Sequence, residues 1–118
     1  MNDLPETTAR RLGPGSLELD FTLAPDCPWL EGHFPGRPIL PGVVQVGWAA
    51  AYASQLAARD EPPMQLQRIK FKRPILPSAR LTLALTARDD RVHFEYRMWH
   101  EGVQVSASSG ILGWGVAQ

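Results

Sequence analysis

VVQVGWAAAYASQLAA, residues 43–58, is the stretch on which the fold turns. It is dense in alanine, the best helix former, and at 1.5 Å per residue it makes a helix about 24 Å long. The stretch is apolar nearly all round, the pattern of a helix surrounded by protein. Gln45, Ser54 and Gln55 interrupt it, and it is too short to span a bilayer. Small side chains at 47, 49, 50, 51, 53, 57 and 58 would let a sheet approach closely.

That sheet is written on both sides of the helix. Upstream, Leu17, Leu19, Phe21 and Leu23 alternate with Glu18, Asp20 and Thr22, the period of two expected of a half-buried strand. Residues 1–15 are polar and punctuated by Gly and Pro, and read as a loosely held arm. Downstream of the turn signal at residues 60–63, four runs read as strands: 65–75, 80–88, 91–99 and 103–113. Asp89-Asp90 and Glu101-Gly102 set up hairpins between the last three. The expected class is α+β, one long helix wrapped by a curved antiparallel sheet, in a single domain over 16–118.

Composition agrees with one core: 118 residues are 44% hydrophobic and 20% charged. The single Cys27 makes no internal bridge, and no Cys/His cluster has metal-ligand spacing, so no metal is expected and the simplest compartment is a reducing cytoplasm. The start carries neither a basic nor an apolar segment of the kind a signal peptide needs. Twelve Lys and Arg balance twelve Asp and Glu, which argues against nucleic acid as a partner. No membrane insertion and, in the absence of a GxGxxG or P-loop motif, no cofactor are expected.

Between strand and helix, residues 24–41 hold prolines at 25, 28, 35, 38 and 41 and glycines at 32 and 36, which excludes regular structure. Loops this long in compact domains usually carry function, and Trp29, Leu30, Phe34, Ile39 and Leu40 make this one too apolar for disorder. Its prolines and glycines present the His33 imidazole from a stiff backbone, and an imidazole near its neutral pKa removes or returns a proton at physiological pH. Pro41-Gly42 opens the helix, whose first free N–H groups and positive dipole end suit a thioester carbonyl.

The run GHFPGRPILPGVVQ, residues 32–45, resembles the GHFPGxPxxPGVxQ signature of FabA/FabZ-like β-hydroxyacyl-[acyl carrier protein] dehydratases. IKFKRPILP, residues 69–77, is similar to that family's KFxRPVxPGD strand, with Ser78-Ala79 in place of Gly-Asp. The resemblance covers roughly residues 16–113 and implies a hotdog fold working as a homodimer, or as a heterodimer with a homologue. It implies conversion of 3-hydroxyacyl thioesters to trans-2-enoyl thioesters, with His33 as base and the Gly42 amide as oxyanion donor. Phe34, Pro41, Val43 and Trp48 are then substrate-binding candidates, and an acyl carrier protein bearing a phosphopantetheine arm is the expected partner. GVVQVGWA, residues 42–49, looks closest to the aryl polyene type of dehydratase.

One departure stands out. The family's Asp or Glu, fourteen residues after the histidine, is Gly47 here, and glycine has no proton to give. Glycine also costs roughly 1 kcal/mol relative to alanine inside a helix, so helix stability does not explain it. Glu31 and Asp26 share the loop with His33 and are candidate substitute acids; Glu95 is a weaker one. Exposed carboxylates more often only solvate a surface. The same gap supports a non-catalytic acyl-binding or partner subunit; a hotdog thioesterase is a further alternative, against which the GHFPG signature argues.

Arg68, Lys70, Lys72 and Arg73 concentrate four cations in six residues. Strict alternation would put Arg68, Lys70 and Lys72 on one face and Gln67, Ile69 and Phe71 on the other. A solvated face is the bland reading; with Arg37 the stripe is also a landing site for an acidic, phosphate-bearing carrier.

Overall fold

The computed structural model describes residues 4–30 and 38–115. Strands β1 (Ala9–Gly13) and β2 (Ser16–Thr22) form a hairpin, and a 3-10 turn (Pro28–Leu30) follows. Then come helix α1 (Gly42–Ala57) and strands β3 (Gln65–Phe71), β4 (Arg80–Arg88), β5 (Arg91–His100) and β6 (Val103–Gly113). All six strands pair antiparallel in one sheet of order β1-β2-β4-β5-β6-β3. The helix packs across one face of this sheet.

Register explains the core. Leu17, Leu19 and Phe21 pair with Leu85, Leu83 and Leu81, which pair in turn with Phe94, Tyr96 and Met98. Cross-strand partners share a face, so this alternation delivers one apolar surface to the helix, and all but the half-buried Met98 are at most 3% exposed. Each such Leu contributes roughly 1.5–3 kcal/mol relative to an exposed one. From the helix, Val44, Trp48, Ala49, Tyr52 and Ala53 meet that surface, with Phe21 edge-on to Trp48 at 6.0 Å between centroids.

The turns follow local chemistry. Glu101 and Gly102 both have positive φ, 52° and 82°, the two-residue hairpin geometry whose twist matches its strands. Asp89, at φ 57°, tolerates the left-handed region between β4 and β5. Ala58 closes the helix in the left-handed conformation, its N–H reaching back to Gln55.

Four expectations are corrected. Residues 9–13, read as part of an arm, form edge strand β1; ARRLG has no alternating pattern, and Arg11 ties it to β2 by ion pairs to Glu18 (3.0 Å) and Asp20 (2.7 Å). The run 65–75 stops as a strand at Phe71, ahead of Pro74, which has no N–H to give the ladder. β3 also carries a bulge: Gln67 pairs with Ile111 but Lys70 with Ser109, and Arg68 takes a φ of 53°. Strict alternation fails there, and Gln67 lies on the Lys70 face rather than with Ile69 and Phe71. Finally, the helix is not enclosed: its other side leaves Val43 71% exposed and Val46, Gly47, Ala50 and Ala51 half-buried.

Candidate functional site

The start of α1 is built without a side-chain cap. Pro41 is the N-cap residue, with φ −61° and ψ 145°, and its carbonyl accepts from the N–H groups of Val44 and Gln45, both at 3.1 Å. The Gly42 and Val43 amides, ahead of the first helical bonds, have no acceptor among the described residues. They face the conditions that favour a developing negative charge: orphan donors at the positive end of a sixteen-residue helix. A groove of about 500 Å³ opens beside them, lined by Ile39, Pro41, Gly42, Val43, Phe71 and Arg73 among others.

Gly42 also lies against a neighbour. A Cβ there would stand 2.6 Å from Cζ of Phe71, so a larger residue would have to push that half-exposed ring aside from the helix start. Beneath the groove, Gln45 is 3% exposed, and its side-chain nitrogen and oxygen each make a hydrogen bond. Its Nε2 donates to the Leu40 carbonyl at 3.0 Å, and its Oε1 accepts from the Ser108 hydroxyl at 2.6 Å. The Tyr96 hydroxyl donates to the Gln45 backbone carbonyl at 2.7 Å. Burial pushes the Tyr96 phenol well above its ordinary pKa, which keeps that proton in place.

His33, Glu31, Phe34 and Arg37 lie outside the described residues. Of the other candidates, Pro41, Gly42 and Val43 meet at the groove, while Trp48, 2% exposed, points toward the core. Asp26 is exposed and shares a second cavity, about 570 Å³, with Trp29, Cys27 and Trp48. Gly47 is half-buried on the helix. Glu95 is on the wrong side: its register partner is Ala84, opposite the helix, and its carboxylate accepts from Arg97 at 2.9 Å. It does not serve as the substitute acid.

The cations divide. Arg68, Lys70 and Lys72 line a shallow groove of about 590 Å³ on the outer face of the sheet, whereas Arg73 turns with Lys72 to the groove beside Gly42. The outer groove also gathers Arg88, Arg91 and His93, which the sequence reading had not joined to the stripe. Strand pairing brings them together: Arg91 pairs with Gly113 and donates to Gln67 at 2.9 Å. Burial, then Arg88 and Arg91, lowers the His93 pKa. Among the described residues none of the five Lys and Arg side chains there has a carboxylate within ion-pair distance. Ser108 and Tyr96 were also missed; the one available signal was a serine at an inward position of β6.

A single helix lying in one antiparallel sheet of this order is the hotdog fold. The chain belongs to the ApeI-like family, described as ApeI dehydratase, whose model matches residues 9–110. It is similar to the dehydratase heterocomplex ApeI:P from Xenorhabdus doucetiae, at 28% identity and a TM-score of 0.82 over 92% of this chain and 96% of that one. It also resembles an uncharacterised protein from Erwinia carotovora subsp. atroseptica, at 33% identity and a TM-score of 0.80 over 94% and 95% of the two chains. Among sequence relatives, a 3-hydroxyacyl-[acyl-carrier-protein] dehydratase FabZ from Geobacter metallireducens is 36% identical over 72 residues, 51% of this chain and 46% of that one. The match thus spans about half the length of such relatives.

Proposed function

We propose that this chain acts on 3-hydroxyacyl thioesters and removes water from them to give trans-2-enoyl thioesters. The observation that carries the reading is the uncapped helix start at Gly42, whose amide has no acceptor among the described residues and opens on an apolar groove, in a chain whose sequence carries the family-type histidine motif. In this reaction His33 takes the α-proton, and the electron pair moves onto the carbonyl oxygen, where the Gly42 N–H meets it. The pair then returns to form the C=C bond as the β-hydroxyl leaves with a proton as water. Because Gly47 supplies no proton, Asp26, Glu31 or an ordered water assists that departure. Aryl polyene-type acyl chains are the favoured substrate class, through the likeness to the ApeI-like family.

The partner side of the reading is a second hotdog chain, identical or homologous. Edge strand β3 pairs only with β6, and beside it Met64, Leu66, Phe71 and Val43 are 73%, 54%, 54% and 71% exposed, an apolar rim left for another subunit. The half-open helix face continues the same surface. The substrate is carried by an acyl carrier protein, for which the outer-groove cations, without a carboxylate partner among the described residues, supply the attraction together with Arg37 and Arg73.

The test is to incubate the purified chain with 3-hydroxyacyl and enoyl thioesters and follow gain or loss of water by mass, with light scattering on the same sample. A dimer with turnover that His33→Ala lowers about 10²–10⁴-fold is expected. Turnover unchanged in that variant would remove His33 as the base. A second reading, a non-catalytic subunit of a heterodimer, is favoured by Gly47 and by the likeness to a heterocomplex. It predicts no turnover alone and turnover only with a homologue that carries the carboxylate.

A further inference from the structure

We infer that Gln45, Ser108 and Tyr96 form a clamp that sets the position of the Gly42 amide, and this rests on the reading of Gly42 as the oxyanion donor. The segment 40–42 has no helix cap of the Ser, Thr or Asp kind to fix it. Instead it is held from inside. Gln45 Nε2 binds the Leu40 carbonyl at 3.0 Å, two residues before Gly42, while the Leu40 N–H is tied to the Ile75 carbonyl at 2.9 Å. The same glutamine is anchored to the sheet twice, by Ser108 at its side chain and Tyr96 at its backbone carbonyl. Gln45, Ser108 and Tyr96 are 3%, 0% and 0% exposed, so bulk water has little access to compete for these bonds.

An apolar side chain would fill this space with less risk of unsatisfied polar atoms. What the polar network adds is direction: it fixes the azimuth and height of the first helical turn against β5 and β6, where packing alone would let the turn slide. An amide stabilises a developing oxyanion only when held at the position the oxygen reaches in the transition state. Gln45 is therefore a positioning residue, and its loss acts on the chemical step rather than on substrate affinity.

The experiment uses Gln45→Met, which keeps length and removes both side-chain bonds, and Tyr96→Phe, which deletes one oxygen and is the milder variant should the first not fold. Two readouts are taken on the full chain: steady-state kinetics on a 3-hydroxyacyl thioester mimic, and the amide resonance of Gly42 against that of Gly102 in the distant hairpin. The expected result is a displaced Gly42 resonance, an unmoved Gly102 resonance, and kcat lowered about 10-fold or more with KM within about twofold. An unmoved Gly42 resonance in folded variants overturns the clamp. So does a raised KM with kcat retained. A wild-type chain without turnover would sink the dehydratase reading instead, and the Gly42 resonance would still decide the clamp.

Discussion

The two faces of the one sheet obey different physics. The inner face is closed: Leu17, Leu19, Leu83, Leu85 and Tyr96 are at most 1% exposed, and the polar atoms of Gln45 and Ser108 there meet each other. The outer face is a surface of charges arranged in two halves. Toward β1, Arg11 and Arg97 are taken up by Glu18, Asp20 and Glu95. Toward β3, Arg68, Lys70, Lys72, Arg88 and Arg91 find no such partners among the described residues. The inner face accordingly sets stability. The outer face, solvated and salt-screened, contributes little to stability, and the half toward β3 is the one the proposed carrier docking uses.

The comparison breaks most readily in the core. Leu83→Ala should cost about 2–5 kcal/mol, because a wholly buried leucine leaves a cavity, whereas Thr86→Ala on the exposed side of the same strand should stay within about 0.5 kcal/mol. Urea unfolding of the two variants checks this; similar losses at both positions would mean the faces do not differ as described.

Gly47→Asp asks whether the helix site lacks only an acid. A carboxyl at this half-buried position is desolvated in its charged form, which favours the protonated species an acid needs. Dehydration should rise by about 10²-fold. A fall, with wild-type turnover measurable, would mean that another acid or a bulky acyl group already uses the space.

Reversing charge on the outer face with Lys70→Glu and Lys72→Glu should raise KM several-fold for a carrier-bound substrate, with little change for a small thioester mimic. Added salt should do the same to the wild type. An anionic partner seated in this groove should also raise the lowered His93 pKa, which an NMR titration reads directly. Equal effects on both substrates would reduce the groove to a solvated face.

The smallest effect belongs to the self-paired half. Hydrogen bonds from Arg11, then Thr82, hold the Asp20 carboxyl down at about 2, below its ordinary 3.8. A depressed carboxylate contributes stability that is complete above the unfolded value and is lost as pH falls from about 4 to about 2. Asp20→Asn should flatten the stability profile in that window and leave it unchanged near neutrality in slope; an identical acid limb in the variant would assign the loss to other carboxylates.

The helix was legible from its run of alanine and apolar residues, β2, β4 and β5 from their period of two, and β6 from the hairpin signal ahead of it, all of which can be read from one chain. So were the hairpin turns, where Gly102 and Asp89 tolerate the positive φ they adopt. The Gly42 helix start, opened by Pro41, was equally local. β1 was not legible, because its order comes from Arg11 reaching across to Glu18 and Asp20 rather than from any pattern of its own. Nor was the bulge at Arg68, which redistributes the basic stripe and joins it to Arg88 and Arg91 from other strands. The clamp is the clearest case. Tyr96 and Ser108 are separated by 51 and 63 positions from Gln45, and only the pairing of β5 with β6 beneath the helix brings their polar atoms within hydrogen-bond distance. Sequence determined which elements form, since propensity and periodicity act over a few residues; tertiary structure decided which polar groups meet, since that depends on register between strands far apart in the chain.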